Sequence, residues 1–325
     1  MHITAVIPLP NFGFEENPVL LTQVLEQLKY LSRLGHDVAL FTIYKDNRVF
    51  DAVVSQYVGG ARITIVAIVD KGLLSNLIRL VQKIRNRRII GNEIFYVRCI
   101  WGPLVLRLAK SKMPSYVYDM RGHFLDEMKA LNKIRLRMCV MRLLETYAIS
   151  NARHLLAVST YLADYIKDVR KNHAVVNVIP SCVPGERYPT AFPDITAMRQ
   201  RLGYNSEDLV FVYSGGLSHY QQIPALLRLW TSYTHNSSIK FLIITSDNSA
   251  ALQEAINNNS LGGRLTVYKA TPLELPLMLA ACDVAFLLRE ARKLNMAAAP
   301  VKFAEYVSAG LAVISSPMLG DVSQS

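Results

Sequence analysis

Residues 283–321 of the chain, DVAFLLREARKLNMAAAPVKFAEYVSAGLAVISSPMLGD, contain two short apolar runs, 284–288 and 312–315, separated by an amphipathic segment at 301–309. The runs have the length and composition of buried strands, and the apolar residues of the intervening segment recur at helical spacing. A strand, a helix and a second strand in this order predict two parallel strands joined by a crossover helix.

The same alternation extends towards the N-terminus through most of the chain. Further strands are predicted at 2–8, 38–43, 62–68, 94–97, 116–119, 155–158, 176–179, 209–213, 240–245 and 265–268. Helices are predicted between them at 19–34, 73–88, 104–110, 124–149, 161–169, 222–234, 249–258 and 273–281. This order is typical of parallel, doubly wound sheets.

A turn-rich segment, PSCVPGERYPTAFP at 180–193, interrupts the alternation and has the composition of an interdomain linker. We therefore predict an α/β protein with two Rossmann-like doubly wound parallel-sheet domains facing a cleft. The predicted domains are residues 1–184 and residues 185–325.

Composition excludes several classes of protein. With 51% hydrophobic and 19% charged residues the chain is too apolar to be disordered, and its apolar runs are far shorter than the roughly 18 residues that a membrane-spanning helix needs. The N-terminus has no signal-peptide pattern, and the four cysteines are scattered without metal-ligand spacing. We expect a cytoplasmic protein with buried thiols.

Positive charge is concentrated in the first half of the chain. Residues 1–150 hold 21 lysines and arginines against 12 acidic residues, and the whole chain has a net charge of +11. Two basic amphipathic helices, predicted at 71–88 and 129–142, carry most of the excess. They fit either peripheral contact with an anionic membrane at its inner face or ordinary domain helices with a solvated side. Without interleaved aromatic residues they do not predict nucleic-acid binding.

Ligands of open parallel sheets bind beyond the carboxyl ends of the strands, so functional residues are expected just after each strand. No GxGxxG or P-loop motif is present, and the sequence Ser214-Gly215-Gly216 alone is a weak phosphate-loop signal. The rule selects the following positions: residues 11–17, Arg98, residues 119–123, Ser159, residues 214–220, residues 246–248 and the stretch 289–305.

Within the quoted stretch, Pro300, Lys302, Glu305, Gly310 and the pair Gly320-Asp321 form an ordered pattern. The pattern resembles the donor-site signature of glycosyltransferase family 4, the group 1 glycosyltransferases of the GT-B type. The segments LGHDV at 34–38, AVS at 157–159 and VIP at 178–180 resemble further pieces of that family in the same order. The resemblance therefore covers nearly the whole chain.

The resemblance implies a nucleotide-diphosphate-sugar donor bound by the domain of residues 185–325 and an acceptor bound by the domain of residues 1–184. Glu305 would accept hydrogen bonds from the ribose hydroxyls, while Lys302 and the helix beginning near Pro300 would face the diphosphate. The expected donor-binding residues are Gly215, Gly216, His219, Asn295, Pro300, Lys302 and Glu305.

The sequence departs from the family pattern at several places. Ala297 stands where many members have a second glutamate, and residues 215–222 contain none of the usual arginine or lysine. Residues 181–184 read SCVP rather than the usual linker pattern, and the family pattern continues past Asp321 with a strand and helices that we expect this sequence to lack. Asn295 and His219 are the expected substitutes at the sugar and the phosphates.

The implied reaction is sugar transfer with retention at the anomeric carbon, to a glycan or lipid-linked acceptor in polysaccharide or cell-surface glycan biosynthesis. No Asp-x-Asp motif occurs, so we expect no metal and no cofactor besides the donor. The expected catalytic residues are Asp119, Arg121, His123 and Lys302, and the expected acceptor-side residues are Gly13, Glu16 and Arg98.

Two alternative functions stay open. One is a GT-B scaffold or binding protein that has lost turnover, because phosphate-binding residues of the family are missing. The other is a nucleotide-sugar 2-epimerase, which would need additional acid and base groups facing the donor. Individual residues also have structural alternatives: Asp119 as a turn cap, Arg121 in a buried ion pair, and His123 at a helix entry.

Overall fold

Two all-parallel sheets, one in each of two units, organise the computed structural model of the chain. It describes residues 1–8, 21–87, 92–126, 135–170, 175–248, 250–258, 261, 263–290 and 292–324. The two compact units are Met1–Pro180 and Ser181–Ser325. This division falls a few residues before the predicted boundary at 184/185. None of the described helices is long and apolar enough to cross a membrane.

The first unit contains a seven-stranded sheet of order β3-β2-β1-β4-β5-β6-β7. Its strands are β1 (His2–Ile7), β2 (Asp37–Tyr44), β3 (Ile63–Val69), β4 (Glu93–Val97), β5 (Tyr116–Met120), β6 (His154–Ala157) and β7 (Val176–Val178). Its helices are α1 (Glu26–Arg33, preceded by a π-helical turn at Leu21–Leu25), α2 (Asn47–Val58), α3 (Leu73–Arg85), α4 (Trp101–Ala109), α5 (Arg135–Asn151) and α6 (Thr160–Val169).

The second unit contains a five-stranded sheet of order β10-β9-β8-β11-β12. Its strands are β8 (Leu209–Ser214), β9 (Ile239–Ile244), β10 (Leu265–Tyr268), β11 (Val284–Leu287) and β12 (Ala312–Ser315). Its α-helices are α7 (Ile195–Arg201), α8 (Ile223–Thr231), α9 (Ala250–Asn257), α10 (Leu275–Ala280), α11 (Lys293–Met296) and α12 (Val301–Ser308). Short 3₁₀ turns occur at Gly185–Arg187, His219–Gln221 and Gly320–Gln324.

Both sheets reverse their winding direction beside their first strand. In the second unit β8 pairs with β9 on one side and with β11 on the other, with Val284 opposite Phe211 and Ala285 opposite Val212. The loops after β8 and β11 therefore leave the sheet in opposite directions and open a crevice at the carboxyl edge. In the first unit the corresponding strands are β1 and β4.

An aromatic core holds the second sheet against α8. Trp230 is fully buried and stacks on Phe241 at a centroid distance of 5.2 Å, and Phe286 and Phe211 pack edge-on or tilted against this pair. Large aromatic side chains bury enough apolar surface to anchor a small sheet. The strands whose carboxyl ends form the crevice are thus anchored by this core.

The cysteines differ from the expectation of four buried thiols. Cys282 is buried beneath β11, and the carbonyl of Met278 accepts a hydrogen bond from its thiol at 3.2 Å. Cys139 and Cys182 are exposed, so the expectation is wrong for these two positions. They lie on α5 and in the linker, where no core covers them.

Candidate functional site

The loop after β8 brings backbone close to the crevice. Gly215 has a φ of +121°, a conformation that side-chain-bearing residues rarely adopt. The amide of Leu217 donates to the carboxylate of Asp247 at 2.9 Å, and the amide of Ser214 donates to the hydroxyl of Tyr306 at 2.9 Å. These bonds fix the loop from both ends while Gly216 stays exposed.

Lys302 reaches this loop from the first turn of α12. Its Nζ donates to the Tyr213 hydroxyl at 2.8 Å and to Oε1 of Gln221 at 3.2 Å. Burial and the nearby positive charge of Arg289 lower the pKa of Lys302 to about 7. Among the described residues no carboxylate lies within 4.0 Å of its Nζ, so an ammonium group is held here without an ion-pair partner.

Glu305 follows Lys302 one turn later on the same helix. It is half-buried, and burial raises its pKa while the positive charges of Lys302 and Arg187 act in the opposite direction. Pro300 precedes the helix and offers no side-chain cap, so the positive end of the helix dipole adds to the potential around Lys302. A carboxylate and a cation thus lie side by side at one helix start.

Asn295 and His219 occupy different surroundings. Asn295 is 5% exposed, and its Nδ2 donates to the carbonyl of Glu290, an arrangement that braces the loop between β11 and α12. The backbone of Gly320 packs closely against the same loop, since a Cβ at Gly320 would lie 2.5 Å from the carbonyl oxygen of Ala298. His219 is exposed in the 3₁₀ turn after β8. The roles expected of Asn295 and His219 stay predictions.

We expect Gly215→Ala to lower the free energy of unfolding by about 1–3 kcal/mol, because the backbone is strained there for any L side chain. The new methyl group would also displace Lys302, because the Nζ of Lys302 lies 2.6 Å from the position that a Cβ at residue 215 would take. Urea denaturation measures the change. The matched control is Gly185→Ala, which meets nothing within 4 Å and has no positive φ. Equal losses in the two variants would contradict this account.

Two residues at this edge were not predicted from the sequence, and a third, Arg289, was selected only as the first residue of the stretch 289–305. Tyr213 and Gln221 hold Lys302, and Arg289 follows β11 at the reversal of the sheet. Tyr213 lies inside a strand and Gln221 inside a turn, where no sequence pattern distinguishes them. Arg289 did have a signal, since it comes directly after the predicted strand 284–288.

In the first unit, three of the predicted residues form one buried cluster. Asp119 has no exposed surface; Arg121 Nε lies 2.8 Å from its carboxylate, and Arg98 Nε lies 3.8 Å from it. The Tyr96 hydroxyl donates to the same carboxylate, and burial followed by the charge of Asp119 raises the pKa of Tyr96. Burial of this kind suits a carboxylate that positions two guanidinium groups, which was the structural alternative for Arg121.

His123 belongs to a second, separate cluster. Its Nδ1 lies 2.5 Å from Asp126 Oδ2, and its ring packs on Tyr165 with centroids 4.2 Å apart. Tyr165 in turn donates to the buried Glu145 at 2.7 Å, and burial raises the pKa of that carboxyl. The structure therefore brings Asp119, Arg121 and Arg98 together and gives His123 different partners.

Two predicted acceptor-side residues, Gly13 and Glu16, lie outside the described residues. Within the described part of the chain, no group of three or more His, Cys, Asp or Glu side chains could hold a metal ion. Independence from metal stays a prediction.

The second unit matches a known family along nearly all of its length. Residues 194–323 match the family model described as "Glycosyl transferases group 1". This match within the second unit confirms the resemblance to group 1 glycosyltransferases; membership of family 4 stays a prediction. A search of curated proteins finds no match.

Solved structures share the fold of the chain. HepE from Anabaena, in complex with UDP, is 14% identical with a TM-score of 0.68 and matches 100% of this chain and 83% of that chain. Sucrose-phosphate synthase from Thermosynechococcus elongatus is 13% identical, with a TM-score of 0.67 and coverage of 100% and 83%. WaaG, a glycosyltransferase involved in lipopolysaccharide biosynthesis, is 13% identical, with a TM-score of 0.64 and coverage of 98% and 82%. This likeness confirms the predicted class of two Rossmann-like domains of the GT-B type.

Proposed function

We propose that the chain transfers a sugar from a nucleotide-diphosphate-sugar donor, bound by the second unit, to a glycan or lipid-linked acceptor. The observation that carries the proposal is the pairing of Lys302 and Glu305 at the start of α12, beside the glycine loop after β8. The family match covers all of these elements. The complex of HepE with UDP adds support from a protein of the same fold.

Each part of a nucleotide-sugar has a complementary group at this edge. The carboxylate of Glu305 can accept two hydrogen bonds from the ribose, and charge-assisted bonds of this type are stronger than neutral ones. Lys302 can neutralise part of the charge of the diphosphate, and the amide of Gly216 can donate to it. The amide of Gly215 already donates to the carbonyl of Ile244 at 2.8 Å. When the sugar leaves, negative charge grows on that diphosphate, and a preorganised cation stabilises it without a metal ion. Retention at the anomeric carbon is part of the proposal through the resemblance to family 4.

Binding of the nucleotide is the direct test. We expect one of UDP, GDP, ADP, dTDP or CDP to raise the unfolding temperature of the protein and to bind with a stoichiometry of one in calorimetry. EDTA should leave this binding unchanged, and the matching nucleotide-sugar should be hydrolysed slowly in the absence of acceptor. If none of the five nucleotides binds, the proposal is wrong.

The surface of the first unit supports an acceptor at a membrane. On α3, Asn76, Leu80, Val81 and Ile84 are buried, whereas Leu74 and Ile78 are 73% and 49% exposed beside exposed basic residues. On α5, Leu143 is 71% exposed next to the exposed Arg142. Exposed apolar side chains flanked by cations are typical of helices that lie on anionic membranes. The basic residues at 88 and 129–134 lie outside the described part.

We expect the protein to sediment with vesicles containing phosphatidylserine at low salt and not with neutral vesicles. Each basic residue near such a surface contributes about 1 kcal/mol, so Lys71→Gln with Lys83→Gln should weaken binding at least tenfold. The control is Arg228→Gln with Lys269→Gln, which removes two exposed charges from the second unit. Equal affinity of wild type for neutral and anionic vesicles would remove the support for a membrane-bound acceptor.

A further inference from the structure

Arg289 lies at the point where the second sheet reverses its winding. One residue separates Arg289 from the end of β11. The strand β11 is hydrogen-bonded to β8, the strand that precedes the glycine loop. Its backbone amide donates to the Ser316 hydroxyl at 2.8 Å, which ties the loop to the end of β12. Strand order therefore brings Arg289 and Gly215 to the same crevice, although they are distant in sequence.

The guanidinium of Arg289 is held over an aromatic ring. Its Cζ lies 4.8 Å from the ring centroid of Tyr220, which belongs to the turn after β8. Burial lowers the pKa of Arg289, and contact with Tyr220 acts in the opposite direction. A guanidinium that stacks on a ring keeps its N–H edge available to a planar or tetrahedral anion.

No acid neutralises this guanidinium in the described part of the chain. The adjacent carboxylate, Glu290, is paired with Arg292 at 2.8 Å. The buried Nε of Arg289 has no hydrogen-bond partner among the described residues. Buried charges are normally paired, because removing them from water costs free energy. The surroundings of Arg289 thus lack the anion that its charge requires.

Lys302, in the same crevice, likewise has no acidic ion-pair partner among the described residues. After burial, the charge of Arg289 is the largest influence that lowers the pKa of Lys302, so the two cations act on a common volume. Asp247 and Glu305 act in the opposite direction. Lys302 and Arg289 thus place two positive charges beside the exposed backbone of Gly216. Two such charges are complementary to a ligand with two adjacent negative charges.

We propose that Arg289 binds the diphosphate of the nucleotide donor together with Lys302, from the strand neighbouring the glycine loop. The inference rests on the proposed function and deepens it. It assigns the binding of the diphosphate to Arg289, which lies outside the loop of residues 215–222, a loop that contains no arginine or lysine. The planar guanidinium can bind oxygens of both phosphates, whereas Lys302 binds as a point charge. Stacking on Tyr220 keeps the guanidinium preorganised.

Calorimetry with the nucleoside diphosphate that binds wild type, the corresponding monophosphate and the free nucleoside tests the assignment. We expect Arg289→Met to reduce diphosphate affinity at least tenfold, about the loss of one hydrogen bond to a charged group, and to leave nucleoside affinity unchanged. The ratio of diphosphate to nucleoside affinity should therefore fall. The control, Arg228→Met, removes an exposed arginine of α8 and should change each affinity less than twofold.

A second variant, Arg289→Lys, keeps the test decisive if Arg289→Met does not fold. Circular dichroism monitors the fold of both variants. Arg289→Lys keeps the charge but not the fork, so it should retain an intermediate diphosphate affinity. If Arg289→Met does not fold, unchanged diphosphate affinity in Arg289→Lys overturns the assignment. An unchanged ratio in a folded Arg289→Met variant also overturns it and leaves the proposed function standing. Failure of wild type to bind any of the five nucleoside diphosphates overturns both.

Discussion

Lys302→Met is expected to reduce sugar transfer by about 100-fold or more while nucleoside diphosphate affinity falls much less. The reason is that negative charge on the leaving diphosphate increases towards the transition state, and the ammonium group opposes this increase most strongly there. The hydrogen bonds of Lys302 to Tyr213 and Gln221 hold it in place before the reaction begins.

Steady-state kinetics with the nucleotide-sugar identified by the binding screen measures this effect, and donor hydrolysis serves where the acceptor is unknown. The control is Lys269→Met, which removes an exposed lysine from the same unit. Folding disfavours the charged form of Lys302, whose pKa of about 7 lies below the ordinary 10.5, so the methionine variant should be no less stable. Wild-type turnover in Lys302→Met would exclude Lys302 from the reaction.

The lowered pKa of Lys302 also determines how binding depends on pH. A bound diphosphate favours the ammonium form, so its contribution is complete below pH 7 and decreases as pH rises above about 7. The charges of the surrounding groups act on the pKa of Lys302: Arg289 lowers it, whereas Glu305 and Asp247 raise it. Because the nucleotide itself titrates near neutral pH, the difference in affinity between wild type and Lys302→Met is the quantity to follow.

Glu305→Gln is expected to weaken the binding of both the nucleoside diphosphate and the free nucleoside at least tenfold. The change keeps the shape of the side chain but removes the charge from two hydrogen bonds to the ribose, each of which contributes about 1.5–3 kcal/mol. Equal loss for both ligands distinguishes this variant from Arg289→Met, whose effect requires the phosphates.

Calorimetry on Glu305→Gln and on the control Glu254→Gln, an exposed glutamate of α9, measures the loss. The variant should remain folded, because residue Glu305 is only half-buried. Burial also raises the pKa of its carboxyl, so folding already disfavours the charge that the variant removes. Nucleotide affinity equal to that of wild type would place the donor elsewhere and favour the binding-protein alternative.

Periodicity predicted the strands of both sheets, because buried parallel strands are short continuous apolar runs. Among the described helices it missed α2 (Asn47–Val58), α7 (Ile195–Arg201) and the four-residue α11 (Lys293–Met296). The first is rich in β-branched and polar residues and relies on the Asp46 side chain, which caps two of its amides. The second is a seven-residue helix within a proline-rich region, and only Met198 of its residues is buried.

The candidate site was predictable where the sequence pattern is local and unpredictable where the fold brings distant residues together. Pro300, Lys302 and Glu305 belong to one helix start, so their spacing carried the information. The contact of Lys302 with Tyr213 and the approach of Arg289 depend on the pairing of β8 with β11. Burial of Asp119 among Tyr96 and two arginines likewise follows from packing, which a single sequence does not report.

Every residue assigned to the proposed donor site belongs to the second compact unit, and most come from two segments, 213–221 and 289–305. The proposed donor site therefore predicts that nucleotide preference can be transferred together with this unit. Exchange of residues 181–325 with the corresponding unit of another chain that matches the group 1 family model would be expected to change the nucleotide bound. In natural lineages the same arrangement would allow recombination at the linker to produce new donor and acceptor combinations without rebuilding either sheet.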